Sequence, residues 1–317
     1  MIEVKHLVKR YGNNLAVSDL SFTIEKGRIY GFLGPNGAGK STTMNIMTGC
    51  LAATGGQVLI DGYDIFEEAD KAKRLIGYLP EHPPVYMDRT PMEYLTFVGN
   101  CKGFSGKKLK EEIQRVMEVT QITHMKDRLI GHLSKGYRQR VGIAQAILGD
   151  PEIIILDEPT VGLDPMQIKE IRNVITELGK DHTVILSSHI LSEVQAVCET
   201  IMIINGGKLI AMDTPENLEK QFAGDTVIQL TTCTDSGRMT ELLGQVDNVE
   251  IVSVTDAGDR SNAELKLTDE DEEKACMTIA KVFMDAGVPV LKLNPAHASL
   301  EDVFIRLTAE ASIKEVR

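Results

Sequence analysis

The sequence predicts an α/β fold: a mixed sheet carrying a phosphate-binding loop and a helical subdomain, followed by a small α+β domain. Three observations point there. An apolar strand, Ile29-Tyr30-Gly31-Phe32-Leu33, runs through a glycine-rich loop into a helical pattern. A second apolar run, Ile153-Ile154-Ile155-Leu156, is bounded by breakers and reads as a central strand covered on both faces. Beyond residue 220 the elements follow one another in β-α-β-β-α-β order, compatible with a split-βαβ domain.

The loop after the first strand organises the chain. Gly34-Pro35-Asn36-Gly37-Ala38-Gly39-Lys40-Ser41-Thr42 fits G-x-x-x-x-G-K-[ST]. Glycines let successive backbone N–H groups turn toward one anion without interference from Cβ atoms. The following helix adds its unpaired amides and positive dipole end. Lys40 is placed to reach the β- and γ-phosphates of a nucleoside triphosphate, and the Ser41 hydroxyl to ligate Mg²⁺. A glycine-rich turn that merely precedes a helix would need none of this spacing.

The whole chain narrows the classes. Its 317 residues suggest two domains, and 43% hydrophobic with 25% charged residues is the composition of an ordinary globular protein. No apolar run approaches the roughly 18 residues that span a bilayer, so moving anything through a membrane needs another chain. The N-terminal MIEVKHLVKRYG has charges where a signal peptide needs its apolar segment. Cys50, Cys101, Cys198, Cys233 and Cys276 are widely spaced and form no CxxC pair, which argues for free thiols in a reducing compartment. Residues 221–317 hold 18 Asp and Glu against 9 Lys and Arg. That acidic third argues against a nucleic-acid-binding tail, because phosphate contacts need Lys and Arg.

In order, residues 1–24 read as an antiparallel hairpin around the Gly12-Asn13-Asn14 turn. Tyr11, just before that turn, suits packing as well as stacking on an adenine ring. A Thr54-Gly55-Gly56 turn leads to the strand Gln57–Ile60, and residues 75–80 form a buried strand stopped by Glu81-His82-Pro83-Pro84. Helices then dominate from about 82 to 150. Thr90-Pro91-Met92-Glu93 combines a capping box with proline at the first helical position. Ser134 reads as an N-cap with Gly136 in the first turn, aiming a helix start at an anion or simply capping a core helix.

Asp157 and Glu158 end the Ile153–Leu156 strand. In an open parallel sheet, ligands sit beyond the carboxyl ends of the strands, where the phosphate loop also lies. Asp157 is then placed to hold Mg²⁺ through water, and Glu158 to polarise a water for attack on the γ-phosphate. Val161–Pro165 turns into a helix over 166–179, and the strand Thr183–Ser188 ends at His189 on the same sheet edge, suited to a γ-phosphate contact. A connector over 212–218 leads to the acidic domain, which shows no catalytic constellation and closes on a helix capped at Ser299.

These residues resemble the ATP-binding subunits of ABC transporters, collinearly over about residues 1–220. GPNGAGKST stands as the Walker A loop and IIILDEP as the Walker B strand with Glu158 as catalytic glutamate; LSKGYRQR stands where the family signature reads LSGGQ. The resemblance makes VGLD, with Asp164, the D-loop. It makes His189 the switch histidine, Tyr11 the adenine-stacking aromatic, and Ser134 and Gly136 the signature contacts to nucleotide. It also gives Glu81 the position of a glutamine that touches Mg²⁺, where a carboxylate still ligates metal but adds negative charge beside Asp157 and Glu158. The C-terminal part, ending in SLEDVFIRLT, is similar to the accessory domain of ABC type-2 export ATPases, with the gliding-motility and multidrug-export branch nearest.

The resemblance implies a catalytic cycle with ATP and Mg²⁺. It also implies a head-to-tail dimer, either a homodimer or one with a related ATPase chain, because this chain carries one copy of each motif. The partner to be driven is an integral membrane permease, which would hold the chain on the cytoplasmic face of the membrane. The alternative is an ABC ATPase acting on ribosomes or DNA without a permease, but such proteins carry two cassettes or long coiled-coil insertions. A P-loop GTPase would need an Asn-Lys-x-Asp motif, which does not occur.

Overall fold

The computed structural model describes residues 1–222, 227–267 and 271–296, with Glu301 and Phe304. They belong to two units, Met1–Pro215 and Glu216–Arg306. The helix expected from Ser299 to Leu307 lies largely outside the described residues.

Among the described residues three sheets form. In the first, β1 (Ile2–Tyr11) and β2 (Asn14–Ile24) pair as the hairpin, and β1 also pairs with β4 (Gly55–Ile60), which carries the two-residue β5 (Tyr63–Asp64). The expected turn at Thr54–Gly56 is instead mostly strand. Gly56 has φ +85°, and a Cβ there would fall 2.3 Å from the His6 carbonyl oxygen. The glycine admits an irregularity in the β1–β4 ladder rather than a reversal of the chain.

The six-stranded sheet positions the site. Its order is β10-β9-β3-β8-β7-β6, with β3 Ile29–Leu33, β6 Ile76–Leu79, β7 Ile153–Leu156, β8 Thr183–Ser188, β9 Thr200–Asn205 and β10 Lys208–Asp213. Five strands run parallel and β10 closes one edge antiparallel. Every residue of β3, β7 and β8 is buried, which explains the unbroken apolar runs of β3 and β7. The side chains of Ile2, Val4 and Leu7 meet Phe32, Ile155, Ile185 and Met202 in one core, joined by Met44, Ile46 and Met47 of α1 (Lys40–Met47). Phe22 meets Phe32 edge-on at 5.5 Å between ring centroids.

Helices cover the rest. After α2 (Ala69–Arg74), α3 (Pro91–Cys101) begins with the expected reciprocal capping box of Thr90 and Glu93. In α4 (Gly106–Val119), Leu109, Ile113, Val116 and Met117 are the buried stripe. Then come α5 (Lys135–Ile147), α6 (Pro165–Leu178) and the short α7 (Leu191–Gln195). On α6 the buried face is Ile171, Val174, Ile175 and Leu178, while Ile168, at the same helical spacing, is only half-buried. Among the described residues, no helix is long and apolar enough to cross a membrane.

After α8 (Pro215–Phe222), the second unit pairs β11 (Val227–Thr232), β12 (Val249–Ala257), β13 (Arg260–Leu267) and β14 (Val290–Ala296) antiparallel in the order β12-β13-β11-β14. Helices α9 (Ser236–Leu243) and α10 (Glu272–Asp285) pack on this sheet. Met239, Leu242, Ile279 and Phe283 of the helices pack with Ile228, Leu230, Ala263 and Leu265 of the sheet. The element order and strand order are those of a split-βαβ unit.

Candidate functional site

Because β8 lies between β3 and β7, the segments that follow these three strands leave the same edge of the sheet. The phosphate loop follows β3, Asp157 and Glu158 follow β7, and His189 follows β8. An open cavity of about 440 Å³ forms there, lined by Tyr11, Asn14, Ala16, the loop from Asn36 to Thr42, Glu81, Glu158, Val161 and His189.

The loop is shaped by its neighbours. Gly39 has φ +102°, and a Cβ on it would fall 2.6 Å from the Ala16 carbonyl oxygen, so only glycine fits. Gly39 is also the N-cap of α1, and no side chain caps that helix. Its first amides are therefore presented by the loop itself. Lys40 folds back, donating from Nζ to the carbonyl oxygens of Gly34 (2.8 Å) and Pro35 (3.3 Å). Its Nζ also stands 3.5 Å from Glu158 Oε1.

A hydrogen-bonded chain links the three strand ends. Ser41 Oγ donates to Asp157 Oδ1 over 3.1 Å, and Ser187 Oγ donates to the same oxygen over 2.6 Å. The Glu158 amide donates to Ser187 Oγ at 2.8 Å, and His189 Nδ1 lies 2.9 Å from Glu158 Oε2. Glu158 sits at φ +46°, a left-handed conformation that costs a non-glycine residue about 1–3 kcal/mol and persists only where the surroundings hold it. Burial pushes the Asp157 carboxyl above its ordinary range, with Glu158 and Glu81 adding to the rise and the two serine hydroxyls opposing it.

The sequence candidates distribute as follows. Tyr11 is 49% exposed with Lys9 Nζ over its ring at 5.2 Å, so it faces the cavity rather than the core. Glu81 lines the cavity, and no hydrogen bond ties it to Ser41 or Asp157 among the described residues. Asp164 does not line the cavity: its carboxylate accepts from the Gln167 amide at 2.9 Å and caps α6. Ser134 and Gly136 do not line it either. Ser134 caps α5 by accepting from the Tyr137 amide, and Gly136 is buried so close to α6 that a Cβ would meet the Gln167 side chain at 2.7 Å. Ser187, Thr160 and Glu193 carry no motif of their own in the sequence, because strand pairing rather than spacing gathers them.

The fit to Mg²⁺ rests on donor chemistry. One hydroxyl and one carboxylate, Ser41 and Asp157, share a hydrogen bond, and such oxygen donors would suit Mg²⁺ with phosphate and water oxygens completing its shell. Among the described residues, no group of three His, Cys, Asp or Glu side chains could hold a metal ion by itself.

Known proteins match along the chain. The ABC transporter family model matches residues 17–161. The bacitracin transport ATP-binding protein BcrA of Bacillus licheniformis is 35% identical over 99% of this chain and 99% of that protein. The linearmycin resistance ATP-binding protein LnrL of Bacillus subtilis is 33% identical over 97% and 98%. The Nod factor export ATP-binding protein I of a Rhizobium species is 30% identical over 97% and 96%. Among solved structures, an ATP-binding subunit of an ABC transporter superposes with a TM-score of 0.63 at 30% identity, covering 70% of this chain and 93% of that one. A dimeric bacterial ABC transporter cassette gives 0.62 at 26% identity, over 68% and 98%. With relatives matching from end to end and the nucleotide motifs assembled at one sheet edge, this chain belongs to the ATP-binding proteins of the ABC transporter family, and it is an ATPase.

Proposed function

We propose that this chain is the ATP-hydrolysing subunit of an exporter, working as a dimer that closes around two ATP molecules and drives a separate membrane permease. The observation that carries this reading is the convergence of Lys40, Ser41, Asp157, Glu158 and His189 at the ends of three adjacent strands around one cavity. The phosphate-loop amides and Lys40 bind the β- and γ-phosphates, and Tyr11 stacks on the adenine. Glu158 takes the proton of the attacking water, and His189 contacts the γ-phosphate. Ser41 and Asp157, with Glu81 at the cavity wall, would hold Mg²⁺, which when bound neutralises charge on the phosphates.

Dimerisation is supported by what the cavity lining lacks. Ser134 and Gly136, at the start of α5, lie off it, so the proposal places them on the nucleotide of a second subunit, beside that subunit's phosphate loop. The dimeric form of the related cassette supports the same reading. Export is supported by relatives that match this chain end to end and are named for bacitracin transport, linearmycin resistance and Nod factor export. Anchorage at the cytoplasmic face of the membrane would then come through the permease.

The test is Glu158→Gln. The variant should bind ATP, lose about two to four orders of magnitude in turnover, and accumulate as an ATP-dependent dimer in light scattering. Hydrolysis at the wild-type rate, or a monomer at saturating ATP, would overturn the reading.

A further inference from the structure

Glu193 is buried, 5% exposed, in the first turn of α7. No lysine, arginine or histidine pairs with it among the described residues. A carboxylate held away from water without a cation is costly unless hydrogen bonds satisfy it. Here one oxygen, Oε2, accepts from two hydroxyls: Thr160 Oγ1 in a short contact, and Ser188 Oγ at 3.2 Å. Both hydroxyl residues are buried, at 5% and 1% exposure.

Thr160 is two residues past Glu158, and Ser188 immediately precedes His189. The single carboxylate oxygen therefore fastens the segment after β7 to the segment after β8. Each anchor is itself fixed. Ser188 Oγ accepts from the Ile190 amide at 3.0 Å, wrapping the turn around His189. Thr160 O accepts from the Leu163 amide, and Glu158 O from the Val161 amide, both at 3.2 Å. On the other side of Glu158, Ser187 Oγ receives the Glu158 amide. The left-handed backbone of Glu158 is thus gripped from two directions, and the Thr160–Glu193–Ser188 bridge ends on the residue next to His189.

We propose that Glu193 is a positioning residue for ATP hydrolysis: by joining Thr160 to Ser188 it holds Glu158 and His189 at their 2.9 Å separation. Glu193 does not line the nucleotide cavity, so it acts through those two neighbours and not on the nucleotide. The inference rests on the role given to Glu158 above. Its consequence is specific. Loosening the bridge displaces the base and its histidine but leaves the phosphate loop, which follows β3 and supplies none of the bridge's three residues, as it was. A displacement near 1 Å at reacting groups costs up to about a hundredfold in rate.

The experiment compares Glu193→Leu, Thr160→Val, Thr160→Ser and Glu158→Gln in the full chain, measuring kcat, KM, ATP affinity by calorimetry and thermal midpoint. Glu193→Leu removes the accepting oxygen, Thr160→Val keeps the shape and removes the hydroxyl, and Thr160→Ser keeps the hydroxyl. Glu193→Leu and Thr160→Val should each lower kcat about tenfold or more with ATP affinity within about twofold. Thr160→Ser should retain the wild-type kcat, and the Glu193→Leu/Thr160→Val double variant should be no worse than the poorer single variant. Wild-type kcat in Glu193→Leu would overturn the inference, as would ATP affinity and thermal midpoint falling in step with kcat, or equal damage from Thr160→Ser and Thr160→Val. Failure of the Glu158 reading would show separately, as normal turnover in Glu158→Gln.

Discussion

Lys40 Nζ stands 3.5 Å from Glu158 Oε1, with both side chains under a tenth exposed. The cation proposed to serve the phosphates and the carboxylate proposed to serve the water therefore share one buried pair. Truncating Lys40 removes the phosphate contact and strips Glu158 of its cation. A hydrogen bond to a charged group contributes about 1.5–3 kcal/mol, so Lys40→Ala should weaken ATP binding roughly ten- to hundredfold by calorimetric titration. An unchanged dissociation constant would remove Lys40 from the nucleotide site.

Asp157 gives a prediction of the opposite sign for stability. Burial raises its carboxyl above the ordinary 3.8. A carboxyl with a raised value in the fold binds its proton more tightly there than in the unfolded chain. It favours the fold below the unfolded value and loses that contribution as pH rises through the raised one. At neutral pH the buried charge is then a net cost. Asparagine keeps an oxygen to accept from Ser41 and Ser187 while removing the charge. Asp157→Asn should raise the thermal midpoint near neutral pH, by about 2–4 °C for each kcal/mol gained, and the gain should shrink toward pH ~4. Turnover should collapse. A lower midpoint at neutral pH in a scan across the range would contradict this account.

The parts of the site that were legible in the sequence are those with local causes. The phosphate loop is one continuous stretch whose spacing follows from its chemistry, and Thr90 and Glu93 cap α3 by contacts three residues apart. Ser187, Thr160 and Glu193 belong to three elements that meet only because β7 and β8 pair in register, Leu156 opposite Leu186. No spacing encodes that. Asp164-Pro165 is also a helix-start signal, and in this chain the Asp164 carboxylate serves as that cap. Gly56 read as a turn because its positive φ is a turn property, whereas the neighbouring strand β1 turns that freedom into an irregular ladder.

Gly39 tests how far the loop is dictated by its surroundings. A methyl group there would enter the space of the Ala16 carbonyl oxygen, which is backbone and cannot swing aside, and φ +102° already disfavours an L side chain. Gly39→Ala should cost at least about 1 kcal/mol of stability and abolish ATP binding together. Gly37→Ala is the comparison: nothing lies within 4 Å of a Cβ there, although its φ is +81°. It should be the milder change in denaturant unfolding. The reverse order would mean that the approach of Ala16 is not what shapes the loop.

Glu81 carries the last prediction, because it sets charge against coordination. It lines the nucleotide cavity and its charge already raises the Asp157 carboxyl, so it also faces the negative phosphates of any nucleotide there. Without divalent metal that repulsion opposes binding; with metal, a carboxylate offers a harder and more strongly charged oxygen than an amide. Glu81→Gln should therefore bind ATP more tightly than wild type in EDTA and gain less from added Mg²⁺. Glu81 is partly exposed, and exposed charge interactions contribute about 0.2–1 kcal/mol, so each effect should amount to no more than roughly fivefold. Titrating a fluorescent ATP analogue into both proteins, in EDTA and then in Mg²⁺, reads the two effects separately. Equal affinity in EDTA would show that Glu81 does not repel the phosphates, and an equal gain from Mg²⁺ would show that it does not help to hold the ion.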